Sequence, residues 1–172
     1  MIAMSEFIRL LNQIKTHRTE AWLTPSQVEA MTALQRALRI PGVVNLLGHV
    51  GVGKTFLGWS IADKMSYRYI PHIEQINDLQ DMAIEGLVVD NCLPDRTAHR
   101  DVRKQLSFQN IRYAVVITRR MIDDYIPYVE LKLADQDWYK VMENLGSIGA
   151  FRERASVTDL WQLLNPHLLQ GV

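Results

Sequence analysis

The sequence is short of several things, and each shortage removes a class of answers. Cysteine occurs once, as Cys92, so no internal disulfide can form and the chain suits a reducing compartment. Long apolar runs are missing. None approaches the ~18 residues that span a bilayer, and the opening MIAMSEFIRLLNQ lacks the layout of a signal peptide. The expectation is a cytoplasmic chain with no membrane partner. An excess of charge of either sign is missing too: 19 basic residues balance 19 acidic ones, for a formal net charge of zero. A global basic field for nucleic acid is therefore excluded, while a local patch stays open. The five histidines, at 17, 49, 72, 99 and 167, are scattered, which leaves no metal-ligand cluster. Internal repeats, low-complexity tracts and long linkers are absent as well. What remains is a globular composition, 48% apolar and 22% charged over 172 residues. That length suits one domain with a real core and is too short for two motor domains.

Hydrophobic periodicity divides the chain into alternating elements. Phe7, Leu10, Leu11 and Ile14 recur at helical spacing, predicting a helix over 5–16. In TPSQ, Thr24 can cap a second helix, with Pro25 at its first position and Gln27 completing a capping box, up to about Ile40 before Pro41-Gly42. The continuous apolar run VVNLL (43–47) reads as a strand buried on both faces. A helix from Lys54 to about Ser66 follows, then a strand over 67–73 weakened by Pro71, a short helix in QINDLQDMA, and the buried strand GLVVD (86–90). A polar helix over 97–109, the strand YAVVIT (113–118), a strand YVELKL (128–133) and helices near 135–145 and 156–164 complete the chain. The alternation predicts an α/β domain, a three-layer sandwich around a five-stranded parallel sheet. It is read as one domain over 1–172, with N-terminal helices (1–40), a nucleotide-binding core (41–145) and a helical tail (146–172).

Between the first strand and its helix lies GHVGVGKT, matching G-x-x-x-x-G-K-[ST], the phosphate-binding loop or Walker A motif. Glycines at 48, 51 and 53 let successive backbone N–H groups turn inward around phosphate oxygens, and the helix N-terminus adds positive potential. His49, Val50 and Val52 fill the variable positions and Phe56 follows the motif. Lys54 is placed to reach the β- and γ-phosphates, and the Thr55 hydroxyl to ligate Mg²⁺. GLVVDN then supplies an apolar strand ending in an acid, 36 residues after Lys54. In this Walker B arrangement Asp90 would hold the metal with Thr55. The implied cofactors are ATP and Mg²⁺.

The strand and helix between the loop helix and GLVVDN resemble the additional-strand branch of P-loop ATPases, which implies the strand order 5-1-4-3-2. In that branch the strand after Walker B points its end at the γ-phosphate. Here that end reads VVITRR, so Thr118 and Arg119 become γ-phosphate sensor candidates, or a strand end closed by solvated basic residues. Taken in order, VVNLLGHVGVGKTFLGWSIADK, GLVVDN, RYAVVITRR and YVELKLADQDWYKVM resemble the NB-ARC core of STAND ATPases over roughly 40–145, and the related AAA+ family nearly as well. The resemblance implies a γ-phosphate contact for Arg119. It also implies a second acid after the Walker B aspartate, where this chain has Asn91. An amide can position water but cannot take its proton, so slow hydrolysis is expected. The usual lid and winged-helix modules have no room in the roughly 27 residues after 145. The helix over 156–164 is either a remnant lid or packing. LTPSQVEAM before GHVGVGKT also resembles the opening of superfamily 1 helicases, where a glutamine recognises adenine; Gln27 is open to that role or to the capping box.

Arg96, Arg100, Arg103 and Arg120 are read as a solvated face or as charge donated to a neighbour's phosphate, and the tryptophans at 22, 59, 138 and 161 as core or interface anchors. The expected function is a nucleotide-dependent switch or regulatory ATPase subunit, binding ATP or ADP and working with another protein subunit or as a homo-oligomer. A DNA-associated AAA+ loader is the alternative, and a small-molecule kinase the third reading.

Overall fold

Alternation along the central strands decides which helix layer each side chain meets. In the computed structural model of the chain, the described residues are 2–79, 83–92, 100, 102–104, 106–107, 110–122, 124–151 and 157–164, with side chains from residue 5 onward. Five strands are present: β1 (Gly42–Leu47), β2 (Arg68–Ile70), β3 (Gly86–Val89), β4 (Tyr113–Thr118) and β5 (Tyr128–Glu130). All pairings are parallel and the order is β2-β3-β4-β1-β5, the expected 5-1-4-3-2 read from the other edge. Val44 and Leu46 of β1, Val88 of β3, and Val115 and Ile117 of β4 pack on one face with Leu34 and Leu57. Their alternates, Val43, Leu87, Val89, Ala114 and Val116, pack on the other with Ile76, Val102 and Leu106. A sheet covered on both faces needs apolar residues at both parities, which is why these strands read as continuous runs.

The first face is covered by α2 (Pro25–Ala37) and α3 (Lys54–Met65). A third cluster, with Leu10, Trp138, Leu145 and Leu163 buried, joins α1 (Ile2–Thr16), α4 (Asp135–Ser147) and α5 (Leu160–Leu164). On the second face, helical backbone at 100, 102–104 and 106–107 matches part of the helix expected over 97–109. Arg96 and His99 lie outside the described residues.

Several boundaries differ from expectation, for local reasons. β2 stops at Ile70, because Pro71 has no N–H to continue a ladder. β5 ends at Glu130 rather than at 133, because its only partner, β1, ends where Leu47 faces Glu130. α2 stops at Ala37, three residues before Ile40, since Pro41 disfavours helical backbone just ahead of it. The segment Ile73–Leu79 is a 3-10 helix, and α5 starts at Leu160.

The N-terminus of α2 is fixed twice. Gln27 Oε1 accepts from Thr24 N at 3.0 Å while Thr24 Oγ1 accepts from Gln27 N at 3.4 Å, the expected capping box. Asp137, fully buried on α4, then accepts from Ser26 N at 2.9 Å through Oδ1 and from Ala134 N at 2.7 Å through Oδ2. One carboxylate thereby serves the N-terminal N–H groups of two helices, where negative charge is favoured. Asp137→Ala orphans both donors, and urea unfolding should show a loss of about 3 kcal/mol. A loss under about 0.5 kcal/mol, the range of an ordinary surface change, would contradict this role.

Candidate functional site

Because the strands run in parallel, their carboxyl ends open onto one edge of the sheet, and a cleft of about 880 Å³ lies there. Ten residues singled out from the sequence line it together: Val50, Gly51, Gly53, Lys54, Thr55, Phe56, Asp90, Asn91, Thr118 and Arg119. The other three loop residues do not face it. Val52 is buried in the first core cluster, and Gly48 and His49 act through their carbonyls.

The loop is held by backbone conformations that favour glycine. Gly51 has φ 77° and Gly53 φ 89°. Each is also packed where a side chain would not fit. A Cβ on Gly53 would lie 2.6 Å from Gln27 Nε2, and one on Gly51 2.6 Å from Asp159 Cβ. Gln27 Nε2 donates to Gly53 O at 3.2 Å, and Leu160 N donates to Gly51 O at 2.9 Å. The loop is thus pinned from α2 on one side and from the start of α5 on the other. Gln27 has both amide ends committed, its oxygen to the capping box with Thr24 and its nitrogen to Gly53 O.

Lys54 Nζ folds back onto the loop and donates to Gly48 O and His49 O, both at 2.7 Å. Burial holds its pKa below the ordinary lysine value; Asp90 opposes that shift and the Arg119 charge adds to it. The neighbouring Thr55 hydroxyl donates to Asp90 Oδ2 at 2.7 Å. Tyr69 Oη donates to the same oxygen at 2.7 Å, and Asn91 N donates to Asp90 Oδ1 at 2.7 Å. Burial and the Asp90 charge push the Tyr69 phenol well above its ordinary range, so it stays a donor. Asn91 takes a left-handed φ of 50°, a conformation that asparagine tolerates better than most residues, and its Nδ2 donates to Pro71 O at 3.2 Å. The position that the resemblance expects to carry an acid is therefore occupied by an amide turned onto the β2 loop. Burial, then Asp90 and Glu74, raise the Cys92 thiol to about 12, which favours the protonated form.

Sequence reasoning overlooked the residue that shapes the β4 end. Asn45 is buried in the middle of β1 and donates through Nδ2 to Val116 O at 3.0 Å and to Thr118 Oγ1 at 2.8 Å. Its Oδ1 accepts from Ile122 N at 3.3 Å, and Thr118 Oγ1 donates in turn to Arg120 O at 2.5 Å. The Thr118 hydroxyl is engaged within the turn, while Arg119 and Arg120 are exposed at the cleft. A polar residue inside VVNLL was the available signal.

The far half of the cleft is apolar and comes from elements the motifs do not include: Leu11 and Ile14 of α1, Trp22, Leu145 of α4, and Leu160 and Trp161 of α5. Phe7 meets Trp161 with ring centroids 5.7 Å apart. At its other end α1 is tied to α3, through Lys15 over the Trp59 ring and, just beyond the helix, Arg18 on Asp63 at 2.6 Å. Of the four tryptophans only Trp138 is core, and the other three line the cleft. The 156–164 region both packs and lines, and its residue 156 lies outside the described residues. Among the described residues no group of three or more His, Cys, Asp or Glu is placed to hold a metal, and no helix is long and apolar enough to cross a membrane.

If Asn45 braces the turn, Asn45→Leu should lose about 2 kcal/mol in urea unfolding, since Ile122 N is left buried without an acceptor. An unchanged unfolding midpoint would refute the brace.

No protein-family model matches the sequence, and no curated protein matches it. Solved structures do share its shape. Domain III from the Thermotoga maritima replication initiation protein DnaA aligns with a TM-score of 0.55 at 15% identity, over 86% of this chain and 83% of that one. AMPPCP-bound DnaA from Aquifex aeolicus aligns at 0.48 and 17% identity, over 87% of this chain and 61% of that one. A DnaA bound to AMPPCP and single-stranded DNA aligns at 0.47 and 17% identity, over 81% and 57%. The chain thus spans less than two thirds of the length of those last two. At these identities the likeness concerns the fold alone: a five-stranded parallel sheet between helices.

Proposed function

We propose that the chain is a small ATP-binding P-loop NTPase of AAA+/STAND type, working as a nucleotide-dependent switch or regulatory subunit. The observation that carries this reading is the meeting of the loop's Lys54-Thr55 pair with an acid 35 residues further on. Thr55 and Asp90 are joined at 2.7 Å beside an ammonium, Lys54, that is held over the glycine loop. Hard oxygen donors from Thr55 and Asp90 suit Mg²⁺, which takes its remaining ligands from phosphates and water. The metal, when bound, would neutralise phosphate charge. Lys54 would leave the loop carbonyls for the β- and γ-phosphates, and Arg119, exposed at the β4 end, would meet the γ-phosphate. The apolar half of the cleft offers a place for base and ribose, walled by α1 and α5.

The same geometry favours switching over fast turnover. Among the described residues lining the cleft, Asp90 is the one carboxylate, and it is occupied by three donors. Asn91 offers no base. Hydrolysis would then depend on a group supplied by a partner protein or a second copy of the chain. A DNA-associated ATPase is the second reading, favoured by exposed Arg100, Arg103, Lys104, Arg119 and Arg120. It requires an ATP-enhanced DNA affinity that falls steeply with salt.

Calorimetry with ATP and Mg²⁺ tests the main reading. Binding by the native chain and a loss of at least about tenfold in Lys54→Ala are expected; turnover should stay well below about 1 per second. Binding that survives Lys54→Ala unchanged would overturn the assignment. A pH series gives an independent check. The free Lys54 pKa is lowered and phosphate would raise it again, so binding takes up a proton at alkaline pH. Affinity should fall as pH rises through that lowered pKa, below the ordinary 10.5. Lys54→Arg, always charged, should flatten the decline.

A further inference from the structure

Tyr69 belongs to none of the motifs, yet its hydroxyl sits on the carboxylate that the nucleotide-site reading assigns to the metal. Asp90 has two oxygens with about four acceptor positions. Thr55 Oγ1 and Tyr69 Oη both donate to Oδ2 at 2.7 Å, which fills that oxygen, and Asn91 N takes one position on Oδ1. To hold Mg²⁺, Asp90 would need an acceptor position free for it. One position on Oδ1 is left for this, unless Tyr69 withdraws.

The tyrosine is placed there by packing. β2 runs beside β3 with Tyr69 opposite Val88, so its side chain rises on the same face of the sheet as α3. Its ring meets Trp59 edge-on at 6.1 Å, and Trp59 meets Phe56, next to Thr55, at 6.4 Å. Gly58 lies alongside: a Cβ there would clash with Ile117 Cδ1 at 2.6 Å and meet Tyr69 Cε2 at an ordinary contact distance of 3.6 Å.

We propose, resting on the nucleotide-site reading, that Tyr69 is a positioning residue that competes with the metal: its hydroxyl holds Asp90 Oδ2 in the resting chain, and its release opens a second oxygen position when Mg²⁺ and nucleotide load. Tyr69 then sets the Mg²⁺ concentration at which the site fills, and β2 and the Trp59 ring register its release.

The test is a MgCl2 titration of ATP binding, followed by calorimetry, in the native chain and in Tyr69→Phe, with ATP binding in EDTA as the reference. Tyr69→Phe keeps the ring and removes the competing donor. Its half-saturating Mg²⁺ should fall about three- to tenfold, with metal-free ATP affinity unchanged. Tyr69→Met, which removes the hydroxyl in another shape, should move the midpoint the same way even if it lowers the melting temperature. A midpoint that stays put or rises in both variants overturns the competition, because a merely structural tyrosine alters stability and not the metal dependence. Should the native chain bind no ATP at any Mg²⁺ concentration, the nucleotide-site reading falls and this inference with it. Lys54-dependent binding with identical midpoints sinks the inference alone.

Discussion

All five strands point the same way, and almost everything chemical about this molecule follows from that constraint. Parallel pairing puts the carboxyl end of every strand on one edge of the sheet. Gly48, Asp90 and Arg119 are far apart along the chain, yet each directly follows or nearly follows the end of a strand. Thr55 reaches Asp90 because α3 starts above β1 and β3 ends two strands away. Tyr69 reaches the same oxygen from the far edge strand. The sheet brings these groups together and the side chains need only be of the right length.

Inside that frame, polar residues buried in apolar surroundings do the aligning. Asn45 sits where its neighbours Val44 and Leu46 are hydrocarbon, and spends its amide on the backbone and hydroxyl of the β4 end. Asp137 spends its carboxylate on two helix starts. Both are nearly free of solvent, so every bond lost leaves a desolvated group behind, a cost larger than the net gain of an exposed bond. That asymmetry gives the loop a fixed platform: Asp137 sets α2, and Gln27 on α2 holds Gly53.

The sheet was legible in the sequence because two-sided burial leaves continuous apolar runs. VVNLL, GLVV and YAVVIT could be read as strands, and their order followed from the resemblance carried by the motifs between them. The short edge strands were legible in place but not in length, since their limits are set by a partner's end and by Pro71 rather than by their own residues. The loop, Lys54, Thr55 and Asp90 stood out because their chemistry is tied to a spacing. Tyr69, Asn45 and Asp137 did not, because each acts on an atom distant in sequence that only the fold brings within reach. Nor could the sequence reveal the apolar half of the cleft. Leu11, Ile14 and Trp161 read as ordinary helix-face residues, and only their meeting across 150 positions makes a wall.

The bond from Leu160 N to Gly51 O gives the loop a mechanical character. At 2.9 Å it joins the first residue of α5 to the middle of a turn whose glycines already sit in strained territory for any other residue. Force applied along α5, by a docked partner or by thermal drift of the helix, arrives at the loop with no flexible linker to absorb it. The loop then acts less as a fixed socket than as the short arm of a lever. Tension on that arm would widen or narrow its ring of N–H groups.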